Sequence, residues 1–205
     1  MRLRVRTFCR PYGQRRYNRL FLIAAEGSET EPGYFGLFDG KVVRVECLSE
    51  SGKSAPVHVL KRMNAMINRV AMRAGDEAWL VVDKDHWSDE QLNELWQWSQ
   101  LQQMQGQHTI KRGLAVSNPK FEYWLLLHFE DGSSPQSCST RLRFHIPGYD
   151  KTISSSDFTD ERIREAVRRA SERDTPPCRD WPRTTGTTVY RLVESLLRPP
   201  AGTSA

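Results

Sequence analysis

The sequence contains few cysteines, and none of them has the spacing of a metal site. Only four occur in 205 residues, and no two form a C-x-x-C pair. This argues against a zinc ribbon, which needs closely spaced thiolates, and against a disulfide framework. We therefore expect reduced, structural cysteines at all four positions, which are Cys9, Cys47, Cys138 and Cys178.

Long apolar runs are also missing. None approaches the roughly 20 residues that a helix needs to cross a bilayer, and the arginine-rich start lacks the apolar segment of a secretory signal. We expect a cytoplasmic protein with no membrane partner. A mitochondrial transit peptide is the competing interpretation of the first 25 residues, which carry seven arginines and no acid. Residues 20–25, however, already have the pattern of a core strand.

Acidic residues are in the minority, which suits a partner that carries phosphates. The chain has 30 Lys and Arg against 25 Asp and Glu, and its pI is near 9.2. Arginines and aromatics mix in the first 19 residues, so this arm could grip a nucleic acid, with Arg15 and Arg16 as candidate contacts. The stretch RLRVRTF also alternates like an edge strand whose polar face is arginine, and both interpretations fit the sequence equally.

The order of apolar patterns predicts an α/β fold with a mostly parallel central sheet of about four strands and helices on both faces. Short apolar or alternating runs predict strands at residues 20–25, 42–48, 78–82 and 113–116. Apolar steps of three and four predict the helices. These cover a short segment from residue 30, residues 56–74, a segment from a Ser88–Gln91 capping box to about 106, a buried segment beginning at Pro119, and residues 159–173 and 187–197.

The length of the chain suits a single domain with a sizeable core. We assign that domain to residues 19–198. Residues 1–18 are the basic arm or edge strand, and residues 199–205 are expected to form a disordered tail. No internal repeat is present.

Acids stand where two of the predicted strands end. Glu26 follows the first strand, and Asp83 and Asp85 follow the third. Ligands of an open parallel sheet bind outside the carboxyl ends of its strands, so these side chains converge if the strands are neighbours. Oxygen-only ligands suit Mg²⁺ or Mn²⁺, which would relieve the repulsion. The alternative is that the acids cap helices or form Asx turns.

Two other features have weaker signals. The stretch SGKS at residues 51–54 fails as a P-loop because Cys47 stands where the first glycine should be, although Lys53 could still contact a phosphate. Histidines in the positions of His86 and His128 are more often structural than ligands. We keep His128 as a supporting residue of the site.

Five motifs resemble those of the RloB-like proteins, a bacterial family linked to abortive infection and phage defence. They are EGSETEPGYF, VVDKDHW, SNPKFEYWLLLHF, GYDKT and TTGTTVYRLVESLL, and the resemblance covers about residues 19–197. The family resembles the Toprim fold, in which a glutamate after the first strand and a DxD after the third bind Mg²⁺. The resemblance implies that Glu26 is that glutamate and that Asp83 and Asp85 are the DxD.

The resemblance also draws attention to SNPKFE and YDK. Ser117 and Asn118, with Lys120 nearby, are expected at a helix N-terminus, where exposed N–H groups favour a phosphate. An N-cap before a proline is the plainer interpretation of the same residues. Glu122 would be a buried carboxylate that needs a metal, a lysine or an arginine as partner. Lys151 could neutralise charge on a scissile phosphate, or be a solvated loop lysine.

The expected function is that of a Mg²⁺-dependent Toprim-type nuclease that cuts RNA, with tRNA as one candidate, or DNA during phage infection. Glu26, Asp83 and Asp85 would hold the metal, and Glu31 or Glu122 would support a second ion. The alternative is a sensor or adaptor that binds nucleic acid or a nucleotide beside an ATPase partner. A haloacid dehalogenase phosphatase ranks lowest, because its DxD should follow the first strand. A homo-oligomer is a further expectation.

Overall fold

A computed structural model of the protein describes residues 19–40, 43–49, 55–85, 87–101, 103–105, 108–133 and 137–199. The basic arm with Arg15 and Arg16 lies outside the described residues. Lys53, His86 and the predicted tail beyond residue 199 lie outside them too. The predictions that concern these residues therefore stay predictions.

The described residues form one six-stranded sheet, and its middle is parallel. In chain order the strands are β1 (Arg19–Ala25), β2 (Val43–Leu48), β3 (Glu77–Asp83), β4 (Gln103–Gln105), β5 (His108–Asn118) and β6 (Gly186–Thr187). The order across the sheet is β2-β1-β3-β5-β4, with β6 paired to the end of β5. The pairs among β1, β2, β3 and β5 are parallel, and those of β4 and β6 are antiparallel.

The prediction of a mostly parallel α/β sheet is confirmed, and the four predicted strands are its four parallel members. The strand count was too low by the two antiparallel strands. β4 and β6 are only three and two residues long, and strands this short carry no hydrophobic period.

Helices cover both faces of the sheet, as predicted. They are α1 (Thr30–Gly36), α2 (Pro56–Ile67), α3 (Asp89–Gln100), α4 (Phe121–Leu126), α5 (Cys138–His145), α6 (Asp160–Arg173) and α7 (Val189–Leu197). Alternate residues of β1 enter two separate cores: Phe21 and Ile23 pack with α1, α4, α6 and α7, whereas Leu20 and Leu22 pack with α2 and α3. Burial on both faces explains why β1 reads as one continuous apolar run.

Several predicted helix boundaries were wrong, and α5 was not predicted at all. α2 ends at Ile67 instead of continuing to residue 74, and Asp76 then ties its exit loop to the sheet by accepting hydrogen bonds from Leu20 N and Arg73 N. α3 ends at Gln100 because β4 starts at Gln103. The predicted Ser88–Gln91 capping box is confirmed. α4 is buried, also as predicted.

Two further findings concern thiols and membranes. Cys47, Cys138 and Cys178 are free thiols, as predicted, and Cys9 is outside the described residues. In the part of the chain that the structure describes, no helix combines the length and the apolar character that crossing a bilayer requires.

Gly113 allows a tryptophan to lie flat across the middle of the sheet. Trp79 of β3 pairs directly with Gly113 of β5. A Cβ added at Gly113 would stand 2.4 Å from Trp79 Cε3. Trp79 is 5% exposed and also donates a hydrogen bond to Glu77, so the ring has little room to shift.

We therefore expect Gly113→Ala to destabilise the protein by about 1–3 kcal/mol, the usual cost of overpacking a core. Urea denaturation followed by circular dichroism measures this change. A double variant that also carries Trp79→Leu should recover part of the loss, because the smaller side chain leaves room for the new methyl group. Equal stability of Gly113→Ala and the wild type would show that the tryptophan ring moves freely.

Candidate functional site

The carboxyl ends of β1 and β3 lie side by side, which is the condition for the predicted meeting of acids. The two strands are parallel neighbours, and the ladder extends to a hydrogen bond from Glu26 N to Val81 O of 3.0 Å. The Glu26 carboxylate then crosses to β3, where its Oε2 accepts from Asp83 N at 3.1 Å. The structure thus brings Glu26 and Asp83 together, as the strand ends predicted.

A tryptophan that the sequence analysis did not single out fixes the Glu26 side chain. Trp87 Nε1 donates to both Glu26 Oε1 and Glu26 Oε2, each at 3.1 Å. A carboxylate with two donors of this kind has a defined direction. Trp87 belongs to the VVDKDHW motif, so its place just after the acids is the one signal that could have found it.

Glu31 completes the acidic wall from the first turn of α1. It is buried, with 6% of its surface exposed, and its Oε1 accepts from Gly27 N at 3.0 Å. A Cβ at Gly27 would stand 2.1 Å from Glu31 Oε2, so only glycine leaves room for this carboxylate. Glu31 thus lies at the predicted site, and its support of a second ion stays a prediction.

The side chains of Glu26, Glu31 and Asp83 line a pocket of about 240 Å³. Its walls come from the loop after β1, from α1, from the end of β3, from the start of α4 and from the loop after α5. The carboxylates on its lining are Glu26, Glu29, Glu31, Asp83 and Glu122, and its lysines are Lys120 and Lys151. The pocket therefore collects more negative than positive charge.

Burial and mutual repulsion raise the pKa values of two carboxyl groups of the pocket, Asp83 and Glu31. Burial raises the pKa of Asp83 well above its ordinary value, and the charges of Glu31, Glu26 and Glu122 raise it further. Burial also raises the pKa of Glu31, with smaller contributions from Glu122 and Glu26. Asp83 and Glu31 are therefore hard to ionise while their acidic neighbours are charged, which is the situation that a bound cation relieves.

The chemistry of this donor set fits a hard divalent cation, which prefers carboxylate oxygens. The side chains that would hold it are Glu26, Asp83, Glu31 and Glu122. Among the described residues, however, no group of three or more His, Cys, Asp or Glu side chains is gathered closely enough to hold a metal ion. Binding would therefore require these carboxylates to turn toward one another.

Asp85 lies two residues beyond the end of β3 and makes contacts different from those of Asp83. β3 ends at Asp83, so the alternation of a strand no longer relates the two residues. Asp85 N donates to Pro119 O at 3.1 Å, and its carboxylate forms an ion pair of 3.1 Å with Lys120. Asp85 is not among the residues that line the pocket. Its role as a ligand stays a prediction.

Ser117 and Asn118 are not at the N-terminus of a helix, so that prediction was wrong. They end β5 and pair with β6, and α4 begins at Phe121 after a cis Asn118–Pro119 peptide bond. The buried Ser117 hydroxyl lies 3.0 Å from Thr187 Oγ1. The Asn118 amide donates to Pro182 O. The Ser117 side chain contacts β6, the Asn118 side chain contacts the loop before β6, and neither residue lines the pocket.

The remaining candidates divide between the pocket and the core. Lys120, Lys151 and Glu122 all line the pocket, and Glu122 is partly rather than fully buried. His128 is 2% exposed, and its Nε2 lies 3.0 Å from the Tyr34 hydroxyl. Burial lowers the pKa of His128 to about 3, so the ring stays neutral. It does not line the acidic pocket and acts within the core.

The raised pKa of Asp83 predicts how stability changes with pH. The folded protein binds the Asp83 proton more tightly than the unfolded chain, whose aspartates have ordinary values near 3.8. The stability of the wild type should therefore fall relative to Asp83→Asn as the pH rises above about 4, until the raised pKa is passed. Denaturation in EDTA at several pH values between 4 and 8 measures the difference.

Added Mg²⁺ should reverse this loss at pH 8, by about 2.7 kcal/mol at a concentration of 100 times the dissociation constant. The Asp83→Asn variant should gain much less. Parallel stability curves for the two proteins, with no response to Mg²⁺, would contradict the assignment of repelling carboxylates to this pocket.

Comparison with known proteins gives one match. A family model described as RloB-like protein matches residues 21–196, which is most of the chain. No curated protein and no solved structure matches the sequence.

Proposed function

The chain belongs to the RloB-like protein family, and from that premise we propose that it is a Mg²⁺- or Mn²⁺-dependent phosphodiesterase that cuts RNA or DNA. One observation carries the proposal: Glu26, Glu31, Asp83 and Glu122 line a single pocket at the carboxyl edge of a parallel sheet. This is the edge where ligands of such sheets bind. The Toprim relation, the cytoplasmic location and the role in phage defence belong to the same proposal.

The carboxylates of the pocket would have different roles in cation binding and proton transfer. Glu26 and Asp83 would be the principal cation ligands. Hydrogen bonds from Trp87 Nε1 and from Asp83 N orient the Glu26 carboxylate. A bound divalent cation supplies Lewis-acid polarisation of a phosphoryl oxygen and lowers the pKa of bound water. Glu31 and Glu122 stand at the same pocket as further ligands or as acceptors of a proton from the attacking water.

Two lysines suit the phosphate that such a reaction needs. Lys151 and Lys120 line the same pocket as the acids. An ammonium group beside a phosphodiester offsets the charge that accumulates as the bond breaks. The surplus of positive charge on the chain, +5, favours the approach of a polyanion.

Cleavage assays test the proposal directly. Purified protein would be incubated with Mg²⁺ or Mn²⁺ and separate pools of tRNA, mRNA and plasmid DNA, and the products resolved on denaturing gels. We expect cleavage of at least one pool with either cation and none in EDTA. Intact substrates in every pool after hours of incubation would refute an autonomous nuclease.

A second candidate is a binding subunit that holds a nucleic-acid end or a nucleotide and signals to an ATPase partner. It is favoured by the engagement of Asp85 with Lys120 and by the spacing of the described acids, which are not gathered around one point. Binding that persists in EDTA without turnover would favour this function over the first.

A further inference from the structure

The Tyr149 hydroxyl is buried but forms no hydrogen bond with the described residues. The residue lies in the loop after α5, with 6% of its surface exposed. No described atom is placed to bond with its Oη, which is itself closed to solvent. The backbone is anchored, because Tyr149 N donates to Ile146 O at 3.0 Å and Tyr149 O accepts from Arg143 Nε at 3.4 Å. A buried hydroxyl without a partner is costly, so its presence here calls for an explanation.

The side chains around this hydroxyl belong to the acidic pocket. Burial raises the pKa of Tyr149 to about 12, and the charges of Glu122 and Glu31 contribute to the increase. Both carboxylates line the pocket, as does Thr30, which also acts on the Tyr149 hydroxyl. The Thr30 hydroxyl itself donates to Lys151 O at 3.5 Å. Tyr149 therefore stays protonated at neutral pH and keeps an unused donor beside the pocket carboxylates.

The Glu122 carboxylate is complementary to this donor. Glu26 and Glu31 each accept hydrogen bonds that fix their direction. In the described part of the chain, no such donor reaches the Glu122 carboxylate, which is partly exposed in the first turn of α4. Within the described residues, Tyr149 is thus a donor without an acceptor, and Glu122, whose charge acts on it, is an acceptor without a donor.

We propose that Tyr149 is a positioning residue of the acidic pocket, whose hydroxyl donates to the Glu122 carboxylate when that carboxylate turns toward a divalent cation. The inference rests on the proposed function, because it presupposes that the pocket binds the cation. Carboxylates that ligate metals are commonly held by hydrogen bonds from a second layer of residues, and loss of such a residue weakens metal binding by about 10- to 100-fold. One Glu122 oxygen would accept from Tyr149, which leaves the other for the pocket.

Thermal unfolding at increasing Mg²⁺ concentrations tests the inference without any need for cleavage. The variant is Tyr149→Phe, which removes only the hydroxyl. In EDTA its melting temperature should be no lower than that of the wild type, because the hydroxyl of the free protein has no hydrogen bond to lose. The Mg²⁺ concentration needed for a given rise in melting temperature should be about 10- to 100-fold higher than for the wild type.

Two further variants separate positioning from a merely structural role. Tyr123→Phe makes the same chemical change in α4, where the hydroxyl donates to Gly132 O at 3.5 Å and the residue does not line the acidic pocket. Its Mg²⁺ requirement should stay within about twofold of the wild type. The double variant Tyr149→Phe with Glu122→Gln should need no more Mg²⁺ than Glu122→Gln alone, because the two side chains act as one unit.

Three outcomes would overturn the inference. They are an unchanged Mg²⁺ requirement in Tyr149→Phe, an equal fall in its melting temperature with and without Mg²⁺, and a loss in the double variant that is the full sum of the two single losses. The two proposals can fail separately. If the wild type cleaves nucleic acid and Tyr149→Phe keeps the wild-type Mg²⁺ requirement, only this inference falls; if that requirement rises as expected but no cleavage occurs, only the enzymatic proposal falls.

Discussion

Asp83→Asn should reduce divalent-dependent cleavage by about a thousandfold or more. The substitution keeps the size of the side chain and removes its charge, so the pocket loses the proposed principal cation ligand at the end of β3. Cation catalysis contributes several kcal/mol to the lowering of the barrier, and each 1.36 kcal/mol is a factor of ten in rate. Initial rates on the substrate identified in the pool assay measure the effect.

The fold should survive this substitution. Asp83 is destabilised by burial and by the charges around it, so a neutral amide relieves repulsion in the free protein. We expect Asp83→Asn to unfold in EDTA at pH 8 at a temperature no lower than that of the wild type. Loss of activity can therefore be assigned to the pocket and not to unfolding.

Asp89→Asn is the matched control. Asp89 also follows β3, but it is exposed and pairs with Lys84 at the start of α3, outside the pocket. Its substitution should leave the rate within about twofold, as for most surface changes. Asp83→Asn with the rate of the wild type would end the proposal that this pocket performs the chemistry.

Asp85→Asn distinguishes two arrangements of the ligands. Asp85 forms an ion pair of 3.1 Å with Lys120. If this ion pair persists when the cation binds, Asp85→Asn should lose much less activity than Asp83→Asn. An equal loss would mean that Asp85 leaves Lys120 and joins the pocket when the cation binds. That result would restore the ligand set that the sequence motif predicted.

The central sheet could be predicted because strands that are buried on both faces consist mainly of apolar residues. β1 and β3 are covered by helices on both faces, so nearly every residue in them is apolar. α5 shows no apolar pattern of this kind, because only Cys138 and Leu142 of its eight residues are buried. It also follows a serine-rich stretch. Its polar residues, among them Ser139, Arg141 and Arg143, give it the local sequence pattern of a loop.

The sequence likewise predicted only part of the candidate site. Glu26 and Asp83 were found because a strand end is a local feature, and parallel neighbours place two such ends at one edge. The environment of Ser117 was missed because its partner, Thr187, arrives from 70 residues further along the chain. A two-residue strand such as β6 is too short to show a hydrophobic period, so the sequence near Ser117 does not predict that the two strands pair.

A second large effect is expected at the opposite end of β3, where Glu77→Ala should destabilise the protein by about 3–5 kcal/mol. The Glu77 carboxylate is 6% exposed and accepts from Arg19 and Ser195, each at 2.6 Å, and from Trp79 at 2.8 Å. Lys111 adds an ion pair of 3.0 Å. Without Glu77, the largely buried Arg19 would keep its charge and lose its carboxylate partner.

This loss should lower the melting temperature by about 6–20 °C, since a chain of this size shifts by about 2–4 °C per kcal/mol. The exposed residue Glu94 gives the control, and Glu94→Ala should stay within about 0.5 kcal/mol. A double variant, Glu77→Ala with Arg19→Met, should regain part of the stability because no buried charge is left alone.

The contribution of Glu77 should also depend on pH. Burial alone would raise its pKa, but hydrogen bonds from Ser195 and Trp79 and the charge of Lys111 outweigh burial and lower it. The unfolded chain then binds the proton more tightly, so the advantage of the wild type over Glu77→Gln is full above about pH 5 and shrinks as the pH falls below 4.5. An advantage that grows on acidification would contradict this network. Because Glu77 lies six residues before Asp83 along β3, about 20 Å away, the folded Glu77→Gln protein should cleave at the rate of the wild type.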